Sequence, residues 1–139
     1  MTVRVVILGA GFGGLALSSR LCAELGDKAS VTLIDQRDAF VFGFSKLDVI
    51  FGRQTADAVR MPYRDLAAPG LDFRQERILS IDPVAKRVVT DKGTYDADVL
   101  VVALGADLAP EVTPGLLDCG YEFYSNDGAA RLREVIAEL

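Results

Sequence analysis

One short stretch of this sequence restricts the fold more than any other, because it places glycines between an apolar run and a helical pattern. The run Val3–Leu8 is largely β-branched, as in a parallel strand buried on both faces. It leads directly into the glycine-rich residues 9–14, and leucines then recur at every fourth position from Leu17. Gly26 stands where a helix commonly ends. The pattern therefore predicts a strand, a tight turn and a helix that ends near Leu25.

The spacing of the glycines indicates what the turn does. Gly9 would allow a tight turn, Gly11 would let the backbone approach a pyrophosphate, and Gly14 would let helix and strand pack closely. Free N–H groups and the positive end of the helix dipole would then hold the phosphates. Flexible glycine loops can share this spacing, so the interpretation needs support from elsewhere in the chain.

A carboxylate about 20 residues after the last glycine supplies that support. Residues 31–35 form a second β-rich run, which ends in Asp35. We expect Asp35 to accept hydrogen bonds from an adenosine ribose, although an aspartate after a strand is also a common turn or cap residue. Its charge would repel a 2′-phosphate, which disfavours NADP at this site.

The segment after Asp35 differs from a plain NAD-binding domain, which would continue with another helix and parallel strand. Residues 73–81 and Arg87–Thr90 are typical of short strands, and residues 91–93 are typical of a turn. This order predicts a small antiparallel meander over about residues 73–95.

A further strand is expected after the meander, within residues 95–105. It has a polar start, continues as an apolar buried strand and ends at a glycine. The order of glycine turn, Asp35, meander and a strand closing in Ala103-Leu104-Gly105 resembles the FAD domain of the pyridine nucleotide-disulfide oxidoreductase superfamily, whose last motif commonly reads Ala-Thr-Gly. The resemblance implies an α/β fold, a Rossmann-like FAD-binding three-layer domain with a parallel sheet and an antiparallel β-meander, here incomplete.

Within that superfamily the sequence is similar to one branch, which contains sulfide:quinone oxidoreductases, flavocytochrome c sulfide dehydrogenase flavoproteins and type II NADH dehydrogenases. The similarity lies in residues 5–14, in residues 38–42 and in Pro114-Gly115. It implies a flavoprotein oxidoreductase that passes electrons from NAD(P)H or sulfide to a quinone-like acceptor. No Cys-x-x-x-x-Cys motif follows the glycine turn, which excludes the disulfide reductases.

The resemblance also implies roles for individual residues, none of them catalytic and none metal-binding. The pyrophosphate would lie on the turn, the adenosine ribose on the carboxylate after the second strand, the adenine on backbone near residue 78, and other cofactor atoms near the closing motif. A loop at residues 42–46 would run beside the isoalloxazine ring, or else form a surface hydrophobic cluster packed under a linker. The implied cofactor-binding residues are Gly9, Ala10, Gly11, Phe12, Gly13, Gly14, Asp35, Gln36, Ser45, Lys46, Ile78, Ala103 and Gly105.

The two cysteines weaken the case for sulfide as a donor. Sulfide-oxidising members of the branch carry a redox cysteine at a position that falls near Tyr124-Ser125, where this chain has none. Cys119 lies upstream, and we expect it to be a small, partly buried residue rather than a displaced redox thiol. Cys22 lies on the first predicted helix and is expected to be structural.

Composition excludes several classes of function. The net charge is −5 without a basic cluster, which disfavours nucleic acid. The chain has no histidine, so metal sites and histidine-dependent catalytic sets are excluded, and chemistry has to come from a bound cofactor. Its apolar runs are far shorter than the roughly 20 residues that span a bilayer, so we expect a cytoplasmic chain. Peripheral membrane association of a full-length protein and a homodimer are left open.

The predicted domain boundary falls after the closing motif. Residues 1–115 would form the FAD-binding domain, and residues 116–139 a connector and a helix that begins near Asp127 and leads toward a missing NAD(P)-binding domain. Because the helical pattern runs to Leu139 without a stop signal, we expect a fragment: an excised piece, a cleavage product or a truncated homologue. Two alternatives stay open, a non-catalytic nucleotide-binding module and a small NAD-dependent dehydrogenase, which the meander disfavours.

Overall fold

The computed structural model describes residues 2–65 and 69–139 of the chain. Its strands are Val3–Leu8 (β1), Ala29–Asp35 (β2), Ala39–Val41 (β3), Arg60–Pro62 (β4), Leu71–Gln75 (β5), Ile78–Asp82 (β6), Arg87–Thr90 (β7), Thr94–Asp96 (β8) and Val99–Val102 (β9). Its α-helices are Phe12–Leu25 (α1), Ser45–Ile50 (α2), Leu116–Cys119 (α3) and Asn126–Ala137 (α4). The strand, helix and stop predicted around the glycine turn are confirmed, with Gly26 at the C-terminus of α1.

A four-stranded parallel sheet, in the order β5-β2-β1-β9, forms the centre of the first of two compact units, Met1–Phe40 with Pro62–Gly105. In β1, Val5 pairs with Val31 of β2 on one side and with Val99 of β9 on the other. Since all four strands are parallel, their carboxyl ends meet at one edge of the sheet. The glycine turn follows β1 at that edge, and Asp35 is the last residue of β2 there. Parallel sheets bind ligands at this edge.

Both faces of this sheet are covered. Val5 of β1 belongs to a cluster that includes Leu17 of α1, whereas its neighbour Val6 belongs to a cluster that includes Val88 of the meander. Strand β1 is therefore covered on both faces, as its continuous apolar sequence predicted. Helix, sheet and meander are the three layers of the predicted fold class.

The meander is confirmed, but it begins later than predicted. Strands β6, β7 and β8 pair antiparallel, whereas residues 73–75 belong to β5 of the parallel sheet, so a single strand over residues 73–81 was wrong. The chain changes direction at Glu76, whose N–H donates to the carbonyl of Asp35 (2.9 Å) and whose carboxylate accepts from Thr90 (2.5 Å). Strand propensity does not show this break, because the partners of the buried carboxylate are distant in sequence.

Strand β9 corrects a second expectation. It pairs with β1 and, among the described residues, forms an edge of the sheet, with Val102 59% exposed. The apolar run was interpreted as a buried strand because strands covered on both faces have such sequences. Its position in the order of strands decides the exposure instead.

The second compact unit, Val41–Met61 with Ala106–Leu139, is built on α2 and α4. Val49, Ile50 and Ala129 form its buried cluster. The predicted last helix is confirmed, and its cap is Ser125, whose Oγ accepts the N–H of Gly128 at 2.8 Å.

Both units are assembled from two separated segments of the chain, so their division differs from the predicted boundary after residue 115. The assignment of a cofactor to residues 1–115 stays a prediction. Across residues 2–65 and 69–139, no helix has the length and apolar character needed to cross a bilayer.

Candidate functional site

The candidate site lies at the carboxyl edge of the parallel sheet, where three chain segments meet. Gly9 follows β1 and donates its N–H to the carbonyl of Ile34 in β2 at 2.8 Å. Ala103 follows β9 and donates its N–H to the carbonyl of Leu8 at 2.8 Å. The structure therefore brings the glycine turn, the end of β2 and the closing motif together.

Two glycines of the turn are required by the protein itself. Gly9 has φ +97°, and a Cβ there would lie 2.4 Å from the carbonyl oxygen of Ala103. A Cβ on Gly14 would lie 1.8 Å from the carbonyl oxygen of Gly9. The tight turn and the close approach of helix and strand thus need these glycines, as predicted.

Two other glycines of the turn have no such internal requirement. Gly11 has φ −76° and ψ −164°, an extended backbone that any residue adopts, and a Cβ there would meet no described atom within 4 Å. A Cβ on Gly13 would meet only the Cβ of Ala103, at 3.9 Å. The space outside these glycines is kept clear of side chains although neither packing nor backbone conformation requires it.

Residues beside these glycines have contrasting environments. Ala10 is fully buried, whereas Phe12, the first residue of α1, is exposed and packs edge-on against Phe40 with ring centroids 5.0 Å apart. In the closing motif, Gly105 has φ +73°, so its glycine is explained by backbone conformation.

Asp35 is tied to the glycine turn. Its Oδ2 accepts the N–H of Ala10 at 2.7 Å, and its Oδ1 accepts the N–H of Arg37 at 2.8 Å. Each carboxylate oxygen has a second lone pair available for a hydroxyl donor. The carboxylate therefore orients the turn, and its role toward a ribose stays a prediction.

Tyr63 is a member of the site that sequence reasoning missed. Its hydroxyl donates to the carbonyl of Ala10 at 2.8 Å, and only 4% of the residue is exposed. Burial, with the negative charge of Asp35 second, raises the pKa of Tyr63 to about 12. A single tyrosine after a proline carries no motif, so no sequence signal identified it.

An open cavity of about 380 Å³ lies beside the ends of β2 and β5. It is lined by Gln36, Gln75, Glu76, Arg77, Asp91 and Lys92. Gln36 therefore lines this cavity, and its role toward an adenosine ribose stays a prediction. Ile78 is instead packed against the cluster of Val6, and its neighbours Glu76 and Arg77 line the cavity. A contact between adenine and backbone near Ile78 stays a prediction.

Glu76 is the buried acidic group of this region, with 6% exposure. Besides Thr90, its carboxylate accepts the hydroxyl of Tyr95 at 2.7 Å. Burial and then this hydrogen bond raise the pKa of Tyr95 to about 12. The two hydroxyl donors compensate for the loss of water around the carboxylate, which stabilises the wall of the cavity.

Ser45 and Lys46 belong to the second unit, at the start of α2. The Lys46 ammonium donates to the carbonyl of Tyr124 and lies 4.7 Å from the centroid of its ring. The preceding loop exposes Phe42 and Phe44, whose ring centroids are 5.7 Å apart. All of these contacts lie within the second unit. The location of the loop beside a flavin stays a prediction.

The cysteines differ from each other. Cys22 packs against the main apolar cluster, as expected for a structural residue, and burial raises the pKa of its thiol. Cys119, at the end of α3, is exposed, so the expectation that it is partly buried was wrong. The cause is the shortness of α3, a single turn that contributes no buried residue.

Comparison with known proteins identifies a family. The family model described as pyridine nucleotide-disulphide oxidoreductase matches residues 3–136. The chain is 33% identical to a demethylphylloquinone reductase of Synechocystis sp. over 98% of its own length and 36% of the relative. It is 38% identical to a type II NADH:quinone oxidoreductase of Staphylococcus epidermidis over 73% of its length and 26% of the relative.

Solved structures agree with this comparison. The sulfide:quinone oxidoreductase from Aquifex aeolicus has a TM-score of 0.87 and 26% identity, covering 99% of this chain and 32% of that protein. The chain thus spans between about a quarter and about a third of the length of these relatives. The resemblance stated from the sequence is confirmed at the level of family and fold.

Proposed function

Because the chain belongs to the pyridine nucleotide-disulphide oxidoreductase family, we propose that it is the FAD-binding segment of an oxidoreductase that passes electrons from NAD(P)H to a quinone. The glycine turn would hold the pyrophosphate of the cofactor. Residues 1–115 would provide most of this binding site, and residues 116–139 would connect it to the rest of the enzyme.

The observation that carries this proposal is the glycine at position 11. Gly9 and Gly14 are explained by the protein's own geometry, whereas at Gly11 backbone conformation and packing would both tolerate a side chain. The remaining explanation is a group that approaches the backbone from outside, next to the N-terminus of α1. A phosphate fits this place because free N–H groups and the helix dipole favour an anion there.

The adenosine end would lie beside the phosphates. Asp35 would accept ribose hydroxyls, and Gln36 borders the cavity that would take the adenine. FAD is favoured over NAD as the resident nucleotide because the meander β6–β8 follows the parallel strands. The match of the pyridine nucleotide-disulphide oxidoreductase model to residues 3–136 supports this choice, since a flavin cofactor is typical of that family.

When bound, the flavin would supply the redox chemistry, since it accepts and donates electron pairs. The residues of this chain would bind and orient it. Backbone N–H groups of the turn would hold the phosphates, Ala103 and Gly105 would border the cofactor, and Ser45 and Lys46 would contact the region near its ring. No described side chain is assigned as an acid or base.

The donor and acceptor are proposed from the relatives. The Synechocystis relative, 33% identical, is named a demethylphylloquinone reductase, and the Staphylococcus epidermidis relative, 38% identical, a type II NADH:quinone oxidoreductase, whereas the structure named for sulfide is 26% identical. This chain also has no cysteine at Tyr124-Ser125. NAD(P)H is therefore favoured over sulfide as the donor.

Cofactor binding is tested by titrating the protein with FAD and with ADP, each followed by calorimetry. Gly11→Ala is expected to weaken both affinities by about tenfold or more, because the added methyl group occupies the place of the phosphates. Gly93→Ala is the matched control, since a Cβ there would meet only a ring atom of Tyr95 at 4.0 Å. Failure of the wild-type protein to bind either ligand, or equal affinities for Gly11→Ala, would contradict the proposal.

Electron transfer is tested on the full-length gene product, loaded with FAD and kept anaerobic. Addition of NADH is expected to bleach the flavin absorbance, and a quinone is expected to restore it. Bleaching by sulfide alone would contradict the proposed donor, and flavin colour without bleaching would indicate a non-catalytic nucleotide-binding module. A colourless protein that binds NADH would indicate the NAD-dependent dehydrogenase instead.

A further inference from the structure

The peptide that links Ala10 and Gly11 is held from inside the protein. Its carbonyl oxygen accepts the hydroxyl of Tyr63 at 2.8 Å. Tyr63 is itself anchored, because its ring packs against that of Phe73 (centroids 4.8 Å apart) and its N–H donates to the carbonyl of Asp38 at 2.9 Å. The hydroxyl therefore has a defined position under the turn.

A planar trans peptide converts this inward contact into an outward direction. The C=O of residue 10 and the N–H of residue 11 lie in one plane and point in opposite directions. Since the Ala10 carbonyl points at the buried Tyr63, the N–H of Gly11 points away from the core, and it donates to no residue within 2–65 or 69–139.

The neighbouring peptide shows the same relationship. The N–H of Ala10 donates to Asp35 on one side. The carbonyl of Gly9, in the same peptide, points the opposite way, toward Gly14, where an added Cβ would lie 1.8 Å from the oxygen. Asp35 and Tyr63 thus orient two successive peptides of the turn, one through its N–H and the other through its C=O.

We propose that Tyr63 is a positioning residue for the cofactor pyrophosphate: its hydroxyl holds the Ala10 carbonyl so that the N–H of Gly11 faces the phosphate oxygens. This inference rests on the proposed function, since it assumes that the turn binds a dinucleotide. Without the hydroxyl, the buried carbonyl of Ala10 has no hydrogen-bond partner among the residues that the structure describes, and the peptide gains freedom to rotate.

The hydroxyl is suited to this task over the whole working range of pH. The pKa of Tyr63 is raised to about 12, so the group stays protonated and keeps its single hydrogen to donate. The neighbouring carboxylate of Asp35, which favours the protonated phenol, also lies on the turn, so the two supports reinforce each other.

The test compares three ligands on two variants. Tyr63→Phe keeps the ring and its contact with Phe73 but removes the hydroxyl, and Tyr121→Phe removes an exposed hydroxyl from the second unit as the matched control. FAD and ADP carry the pyrophosphate, whereas adenosine carries only the base and ribose. Tyr63→Phe is expected to lower the affinities for FAD and ADP about tenfold and to leave the affinity for adenosine unchanged. The reason is that the N–H of Gly11 is no longer held in line with the phosphate anion.

A purely structural role would give a different result. It would lower the affinities for all three ligands by similar factors and would also lower the melting temperature of the ligand-free protein. That outcome would overturn the proposal. Equal affinities of wild type and Tyr63→Phe would overturn the positioning role alone. Failure of the wild type to bind FAD or ADP would overturn the proposed function and this inference with it.

A measurement on the wild-type protein keeps the inference testable if Tyr63→Phe does not fold. In an ¹⁵N NMR titration with ADP, the Gly11 amide proton is expected to move downfield as its N–H gains a phosphate acceptor, with a smaller shift on adding adenosine. An unmoved Gly11 resonance in the presence of bound ADP would overturn the proposal.

Discussion

The two compact units bury their apolar residues to very different extents. In the first unit, the central strands contribute fully buried side chains such as Ile7 and Leu33, and the sheet is covered on both faces. In the second unit, the buried cluster consists of Val49, Ile50 and Ala129, while large residues such as Phe44 remain 74% exposed. A two-sided sheet removes far more apolar surface from water than one pair of short helices.

This difference explains where a precise binding turn can be built. The glycine turn is attached to the buried strand β1 and is supported by Asp35 and Tyr63. In the second unit, the polar contacts at helix ends include the Ser125 cap, which is local, and the contact of Lys46 with Tyr124, which joins α2 to a distant part of the chain. Four changes are expected to test this contrast, from the largest effect to the smallest.

The largest effect is expected for Gly14→Ala. An alanine inside a helix is usually about 1 kcal/mol more stable than glycine. Here the added methyl would collide with backbone, 1.8 Å from the carbonyl oxygen of Gly9, so we expect a loss of about 4 kcal/mol or unfolding of the first unit. Urea unfolding followed by circular dichroism measures the change.

The adjacent Gly13→Ala is the matched control for that substitution. Its Cβ would lie 3.9 Å from the Cβ of Ala103, an ordinary contact. It is therefore expected to raise the free energy of unfolding by about 0.5 to 1 kcal/mol, as alanine normally does when it replaces glycine in a helix. Equal effects of the two substitutions would show that the close approach of helix and strand is not required.

Leu33→Ala should show the next largest effect. Leu33 is 1% exposed in β2, so removal of its side chain is expected to cost about 3 kcal/mol in the free energy of unfolding. The comparison variant is Leu117→Ala in the second unit, where the leucine is 70% exposed and a change within about 0.5 kcal/mol is expected. Chemical denaturation of both variants decides whether the contrast in burial is also a contrast in stability.

Ser125→Ala is expected to lower the free energy of unfolding by about 1 kcal/mol, because the N–H of Gly128 loses its acceptor at the start of α4. The hydroxyl and the backbone N–H of Ser125 also donate to the carboxylate of Glu122. These hydrogen bonds lower the pKa of Glu122. Thermal unfolding followed at 222 nm provides the measurement. Ser19→Ala, at an exposed position of α1, should be neutral or slightly stabilising, and a similar loss there would argue against the cap.

The smallest effect is expected for the ion pair of Arg4 and Asp98 in the first unit. Hydrogen bonds from the Arg4 side chain and backbone lower the pKa of Asp98 from 3.8 to about 2. Because the folded pKa lies below the unfolded one, the stabilisation is present above about pH 4 and is lost as the pH falls through 2. Both side chains are about half exposed, so the contribution is small.

The pH dependence can be measured with Asp98→Asn. Urea midpoints of wild type and variant are expected to differ at pH 6 and to converge as the pH approaches 2. Adding Arg4→Gln to the variant should change the midpoint little, since its partner is already neutral. A difference that persists unchanged at low pH would show that Asp98 acts without its charge.

Much of the fold could be predicted because local sequence patterns and tertiary environment agree there. The continuous apolar run of β1, the spacing of Gly9 and Gly14 and the position of Asp35 together identify a strand, turn and helix. The last helix was likewise predicted to begin near Asp127, and it begins at Asn126, next to its cap Ser125.

The errors arose where a neighbour in space overrides the local pattern. Residues 73–75 have strand propensity in either sheet, and the buried hydrogen bonds of Glu76 place the break that separates them from the meander. The apolar run of β9 was predicted to be buried, but among the described residues β9 forms an edge of the sheet. Cys119 is exposed because its helix is too short to bury a face.

The amino-acid sequence by itself determined the family, the strand-turn-helix unit and the glycines of the turn, because these depend on backbone geometry over a few neighbouring residues. The spacing already assigned different tasks to Gly9, Gly11 and Gly14, and the tertiary structure supplied the contacts that make Gly9 and Gly14 necessary and leave Gly11 open. The tertiary structure also revealed the hydrogen bond of Tyr63, whose hydroxyl lies 2.8 Å from the carbonyl of Ala10 although the two residues are 53 positions apart in sequence. A hydrogen bond across such a separation leaves no periodicity or motif, since its partners are brought together by the packing of the sheet.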